Sequence, residues 1–176
     1  MTKIYMFFVL VLLGFSEGQA IASTSGSVEK NVADTLKAGM ASPDFRYRDV
    51  NGKIVTLKSL RGKYVYIDVW AMWCGPCCAE IPHLKELERK MRGKKIVFVS
   101  MSVDESRKAW LKYVKDNKMG GVQLNAEGKE EFMKAYHING IPRFILLDKK
   151  GKIVDADMTR PSDPETLKRL LELKGI

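Results

Sequence analysis

All three cysteines of the chain fall within five residues, in Trp73-Cys74-Gly75-Pro76-Cys77-Cys78. A secreted domain stapled by disulfides spreads its cysteines along the sequence to join distant loops, and adjacent cysteines staple nothing. A local pair is chemistry or a metal site. Its placement is specific as well. Ahead of it stands Tyr64-Val65-Tyr66-Ile67-Asp68-Val69-Trp70, a β-branched and aromatic run that reads as a central strand buried on both faces. Behind it Ile81, Leu84, Leu87 and Met91 recur at helical spacing until Gly93, which predicts a long helix over 75–92. The cysteines therefore sit where a buried strand hands over to a helix N-terminus.

That position dictates reactivity. At a helix N-cap, unpaired backbone N–H groups and the helix dipole stabilise a thiolate, so Cys74 is expected to ionise below the free-cysteine value of about 8.5 and to act as the nucleophile. Cys77, one helical turn on and facing inward, is placed to attack the mixed disulfide that Cys74 forms with a substrate. Cys74 and Cys78 also make a C-x-x-x-C pair, and copper(I) favours such soft thiolates, with His137 as a third ligand. His83 and His137, the only two histidines, otherwise read as ordinary surface or boundary residues.

Strand and helix signals alternate around the motif. Phe45-Arg46-Tyr47-Arg48 and Ile54-Val55-Thr56-Leu57 flank Asn51-Gly52, the dipeptide that best fits a tight hairpin turn with positive φ. Ile96-Val97-Phe98-Val99 predicts a second central strand. A helix is expected over 106–117, with Trp110, Leu111 and Val114 inward, and a shorter one over 130–136. Phe144-Ile145-Leu146-Leu147 and Lys152-Ile153-Val154 form an antiparallel hairpin, and an amphipathic helix over 163–174 follows behind Pro164. Strand, helix, strand, helix implies parallel pairing; no internal repeat is visible.

The N-terminus is read separately. Lys3 precedes an apolar run over 4–15, and Ala20-Ile21-Ala22 supplies an A-x-A cleavage pattern, so residues 1–22 are expected to be a secretory signal peptide. The run is 12 residues long, against the roughly 20 needed to span a bilayer, which argues against an uncleaved anchor. Removing 22 of the 176 residues leaves 154, enough for one sizeable core. Residues 23–40 are Ser-, Thr- and Gly-rich and read as a flexible lead-in, with the domain over 41–176. The net charge of +9 is carried by dispersed singles and pairs such as Lys94-Lys95 and Lys149-Lys150. No basic block with interleaved aromatics exists to bind nucleic acid. At 45% apolar residues the composition excludes a disordered or collagen-like chain.

Trp73-Cys74-Gly75-Pro76-Cys77 resembles the thioredoxin motif. Asp68 matches that family's buried acid, Pro82 falls where its helix carries a kinking proline, and Gly140-Ile141-Pro142 before a strand matches the loop whose proline is cis. Ser42-Pro43-Asp44-Phe45, the Asn51-Gly52 hairpin, Leu60-Arg61-Gly62-Lys63, Glu80-Ile81-Pro82 and Ser102-Val103-Asp104-Glu105 extend the likeness over 41–176, to the extracytoplasmic thioredoxins of the TlpA/ResA type. The resemblance implies an α/β, thioredoxin-like fold: a central mixed β-sheet flanked by helices, with an N-terminal β-hairpin and an inserted helix. The 64 residues between Cys77 and Pro142 leave room for that helix.

It also implies roles. Cys74 and Cys77 are the catalytic pair. Asp68 takes the Cys77 proton, or is a structural carboxyl satisfied by backbone donors. Glu80 lines the active-site cavity and tunes the cysteines, or is a solvated helix acid. Trp73 shields the dithiol, or is a half-buried packing residue. Gly75, Pro76, Ile141 and a cis Pro142 meet the substrate, Ile141 through its backbone. Two residues depart from the pattern. Arg143 replaces a small residue and points to acidic partners. Cys78 replaces the usual Lys or Arg, removes a local positive charge, and is either a source of off-pathway disulfides or a passive substitution.

The resemblance therefore implies a periplasmic thiol:disulfide oxidoreductase that needs no cofactor or metal and works as a monomer. Gly-Pro is the dipeptide of thioredoxin, whose potential is about −270 mV against about −120 mV for the oxidant DsbA, so a reductant is expected. Its targets would be disulfide-containing exported proteins, apocytochrome c among them, and its electrons would come from a membrane donor of the DsbD or CcdA type. The rival readings are a thiol oxidant or isomerase, although no dimerisation domain is visible, and a Sco-like copper(I)-handling protein. A peroxiredoxin fits less well, because its peroxide-reducing cysteine has no close C-x-x-C partner.

Overall fold

The computed structural model describes residues 36–176. Its centre is β3 (Tyr64–Trp70), and all seven residues are buried. β4 (Ile96–Ser102) pairs parallel with it and β6 (Arg143–Leu147) antiparallel, so that Asp68 lies between Ser100 and Phe144. β5 (Val122–Asn125) adds parallel to β4 and β7 (Ile153–Asp155) antiparallel to β6, giving the order β5-β4-β3-β6-β7. The result is the expected thioredoxin-like mixed sheet.

Strand alternation sorts the core into two layers. Val65, Ile67 and Val69 join Phe45, Val55, Phe132 and Tyr136, under the N-terminal hairpin and α3 (Glu131–Ala135). Tyr64 and Tyr66 pack with Leu84 and Leu87 of α1 (Gly75–Lys90) and Leu170 of α4 (Pro164–Leu171). Trp70 packs with Cys77 and Ile81 of α1 and with Trp110 and Val114 of α2 (Arg107–Asp116). Each fully buried aliphatic side chain on this strand is worth about 1.5–3 kcal/mol, so β3 is the anchor from which the site is built.

The hairpin of β1 (Arg46–Arg48) and β2 (Ile54–Thr56) forms as expected, but its turn is longer than a two-residue one. Asp49 N donates to Lys53 O and Gly52 N to Asp49 O, enclosing Val50, Asn51 and Gly52. Only Gly52 of the Asn-Gly pair has positive φ, at 79°. The cause is Asp49, whose Oδ1 accepts from both Asn51 N (2.8 Å) and Lys53 N (2.9 Å) and favours the three-residue loop.

β5 has no counterpart in the sequence reading. Val122-Gln123-Leu124-Asn125 follows Gly120-Gly121, is only four residues long and mixes polar with apolar side chains, so no period shows. The insertion after Cys77 thus brings this edge strand along with its helices. α1 and α4 stop at Lys90 and Leu171, two and three residues short of the expected ends, where helices fray.

The expected signal peptide and most of the lead-in lie outside the described residues. Within 36–40, Gly39 N donates to Ile153 O (2.8 Å), Ile153 N donates to Met40 O (2.9 Å), and Leu36 packs on the core, so the domain edge begins before Ala41. No described helix is long and apolar enough to cross a membrane. The dispersed basic pairs converge in space: Gly62 N donates to Lys149 O and Tyr64 N to Lys95 O, gathering them at the end of the sheet opposite the cysteines.

Candidate active site

The site begins where β3 ends. Cys74 N donates to Ala71 O (3.1 Å), closing a turn with Met72 and Trp73 at its tip, and α1 starts immediately after it. Cys74 is the N-cap, with φ −88° and ψ 96°; its Sγ accepts from Cys77 N at 3.2 Å, and Pro76 occupies the first helical turn. Cys74 and Cys77 are joined in a disulfide. The N–H that reaches Cys74 Sγ and the aligned peptide dipoles behind it favour a thiolate at this sulfur once the bond is reduced. Both cysteines are buried, Cys77 deeper inside the helix.

Facing them is the loop before β6. The Ile141–Pro142 peptide is cis, and Ile141 O lies 3.8 Å from Cys74 Sγ. Ile141 and Pro142 are half-buried, whereas Gly75, Pro76 and Trp73 are exposed, Trp73 to 72%. Trp73 is thus not a packing residue; it stands at the rim of the disulfide. Arg143 is met within the chain by the Asp157 carboxylate.

Two acids are buried here, one on the strand beneath the helix and one within the helix. Asp68 sits between Tyr66 and Trp70 on the β3 face that packs against α1, and it is 5% exposed. Burial raises its carboxyl to about 7; the Ser100 hydrogen bond opposes this, and the negative charges of Glu80 and Glu88 add to it. A group titrating there exchanges a proton at neutral pH. Glu80 is buried, not a solvated helix acid. Its carboxylate accepts from Ser162 N (2.9 Å) and Ser162 Oγ (2.8 Å), with Arg160 Nη1 at 3.6 Å, so it ties α1 to the segment that leads into α4.

Four residues beside the site have roles that the sequence reading did not assign. Asp104, 3% exposed, accepts from Met72 N (3.1 Å) and from Ser102 Oγ (2.8 Å), while Asn125 Nδ2 donates to Ser102 Oγ and to Asp104 O, both at 2.9 Å. Tyr113 OH donates to Cys78 Sγ (3.3 Å), and the Cys78 thiol donates to Met72 O (3.4 Å). That hydrogen bond, with burial, pushes the Tyr113 hydroxyl up to about 12. The available signal was Ser-x-Asp just past a buried strand, where short polar side chains fasten backbone. Among the described residues no cluster of three His, Cys, Asp or Glu is placed to hold a metal.

A mixed-sheet domain flanked by helices, with a disulfide at a helix N-terminus opposed by a cis-proline loop, defines the dithiol–disulfide exchange proteins built on the thioredoxin fold. The chain belongs to the thioredoxin-like family, in its TlpA/ResA branch, and a family profile described as thioredoxin-like matches residues 62–153. It is 29% identical over 169 residues to the thiol-disulfide oxidoreductase ResA of Bacillus cereus, across 94% of this chain and 95% of that one. A Bacteroides vulgatus protein solved in solution as a candidate thiol-disulfide oxidoreductase is 57% identical, with a TM-score of 0.68 over 75% of this chain and 89% of its own. A thiol:disulfide interchange protein from Bacteroides sp. is 26% identical, with a TM-score of 0.69 over 78% and 90%. This chain is accordingly a thiol-disulfide oxidoreductase, with Cys74 and Cys77 as its redox-active pair.

Proposed function

We propose that the protein acts outside the cytoplasm as a reductant of disulfides in exported proteins. The observation that carries this reading is the cysteine pair itself: Gly75-Pro76 between the cysteines, with Cys74 Sγ accepting from Cys77 N–H at the start of α1. Gly-Pro is the spacer of strongly reducing pairs at about −270 mV. Export is supported by Lys3, the apolar run over 4–15 and Ala20-Ile21-Ala22. In an oxidising compartment such a protein needs electrons delivered, which implies a membrane donor of the DsbD or CcdA type.

The exchange runs in two steps. The Cys74 thiolate attacks one sulfur of a substrate disulfide; the S–S bond breaks, a Cys74–substrate disulfide forms, and the other substrate sulfur leaves as a thiolate. Cys77 then loses its proton to Asp68 and attacks Cys74 Sγ, forming the Cys74–Cys77 disulfide and releasing the second substrate thiolate. Two electrons pass from the enzyme dithiol to the substrate. Trp73, Gly75 and Pro76 on one side and Ile141 and cis Pro142 on the other offer an apolar and backbone surface for the substrate chain. Glu80 acts on this centre through its charge beside Asp68.

The test is the reduction potential of the Cys74/Cys77 couple, equilibrated in glutathione or dithiothreitol buffers and read by thiol counting, with Cys78→Ser as control. A value at or below about −250 mV is expected for a reductant. A value above about −180 mV overturns the reading in favour of an oxidant or isomerase.

A further inference from the structure

The turn that presents Trp73 and Cys74 is fastened at the peptide groups of one residue. Met72 N–H donates to the Asp104 carboxylate, at 3.2 and 3.1 Å to its two oxygens, and Met72 C=O accepts the Cys78 thiol at 3.4 Å. Ala71 C=O, which closes the turn onto Cys74 N, lies 3.8 Å from the same sulfur. The thiol is itself held from the other side by the Tyr113 hydroxyl, whose ring packs on Trp70 with centroids 5.5 Å apart. Three elements therefore converge on Met72: α1 through Cys78, α2 through Tyr113, and the loop after β4 through Asp104.

We propose that Cys78 and Asp104 are positioning residues for thiol-disulfide exchange: together with Tyr113 they lock the Ala71–Cys74 turn and so fix the attitude of the nucleophile and of the exposed Trp73. The donors and acceptors form one consistent chain, Tyr113 O–H to sulfur and sulfur S–H to the Met72 carbonyl, in which Cys78 serves as donor and acceptor at once. Cys78 is neither a passive substitution nor a stray thiol here, because its sulfur is committed to two partners. A hydroxyl has the same double capacity and a methyl group has none. Asp104 is held in turn by Ser102 and Asn125, so its carboxylate is a fixed anchor for the Met72 N–H. The turn matters chemically because displacing a reacting group by about 1 Å costs up to about a hundredfold in rate.

The proposal rests on exchange at Cys74 and not on the direction in which it runs. Its test compares the full chain with Cys78→Ala, Cys78→Ser, Tyr113→Phe and Asp104→Asn, reading the second-order rate constant with a disulfide peptide and the reduction potential. Cys78→Ala is expected to slow exchange by about tenfold and to shift the potential, while Cys78→Ser stays within about twofold of the parent. Tyr113→Phe, which removes a single oxygen from the chain of donors, is expected to fall between them, as is Asp104→Asn, which keeps one acceptor for the Met72 N–H. If Cys78→Ala fails to fold, Tyr113→Phe carries the comparison. Parent-like rates and potential in a folded Cys78→Ala, or in Tyr113→Phe where the alanine variant does not fold, overturn the proposal. Equal losses in Cys78→Ala and Cys78→Ser overturn it as well.

Discussion

The Glu80 carboxylate takes both polar hydrogens of Ser162, the amide at 2.9 Å and the hydroxyl at 2.8 Å, and so joins the middle of α1 to the segment before α4 across 82 residues of sequence. Glu80→Ala removes the acceptor for both, and Ser162, itself exposed, turns them to water. Hydrogen bonds to a charged group are worth about 1.5–3 kcal/mol, so a loss of about 2–3 kcal/mol in denaturant unfolding is expected. Glu80→Gln keeps the shape and one acceptor and loses less. Because the Glu80 charge helps hold Asp68 up, both variants should move the Asp68 titration downward, readable by carboxyl infrared bands.

Asp68 makes stability depend on pH in a defined direction. Its carboxyl titrates at about 7 in the fold against an ordinary value near 3.8. Between those pH values the unfolded chain releases a proton that the folded chain keeps, so folding takes up a proton and stability falls as pH rises through this window. Below the window the contribution is fully present. Across the whole window the loss amounts to at most about 4 kcal/mol, because each tenfold difference in proton affinity between the folded and unfolded chains is worth about 1.4 kcal/mol. Asp68→Asn should flatten the profile between pH 4 and 7 and unfold at higher denaturant than the parent above it. The same variant should resolve mixed disulfides about a hundredfold more slowly, the scale of general-base assistance. Greater stability with equal activity would leave Asp68 no role in proton transfer.

The parts legible in the sequence were those whose signal is local. β3 shows as a β-branched run, α1 as a 3.6-residue period, and the cysteines by type and spacing. β5 was illegible because it is a strand only by virtue of pairing on β4, as Leu124 opposite Met101 and Asn125 opposite Ser102 show. Burial of Glu80 was equally hidden, since its partner Ser162 lies far along the chain. The Met72 anchors required knowing that the loop after β4 and α2 both close over the end of β3. Trp73 illustrates the converse: a tryptophan beside a buried strand invites a packing reading, and only the turn geometry turns it outward.

The two cysteines should separate cleanly by trapping. Cys74 Sγ sits at the N-cap beside the Ile141 carbonyl, facing the cis-proline loop, while Cys77 lies within α1 against Trp70. With a disulfide peptide, Cys77→Ser should accumulate the Cys74 mixed disulfide, seen by intact mass as the parent plus one peptide chain. Cys74→Ser should give no adduct at Cys77. Adduct formation of equal extent in both variants would remove the assignment of Cys74 as the attacking thiol.

Trp73 offers a test in which folding and binding part company. With 72% of its surface in solvent, it contributes little to the core, so Trp73→Ala should unfold within about 0.5 kcal/mol of the parent. An exposed indole at the rim of a buried disulfide is, however, the kind of aromatic anchor that carries binding energy, where truncation commonly costs more than 1 kcal/mol. KM for disulfide peptides is therefore expected to rise about five- to tenfold, a cost of about 1–1.4 kcal/mol. An indole that contributes equally to binding before and during exchange leaves kcat unchanged, the signature of uniform binding, and that is the expected result. A fall in kcat at constant KM would instead place Trp73 in the reacting geometry, as a wall that keeps water from the Cys74 thiolate.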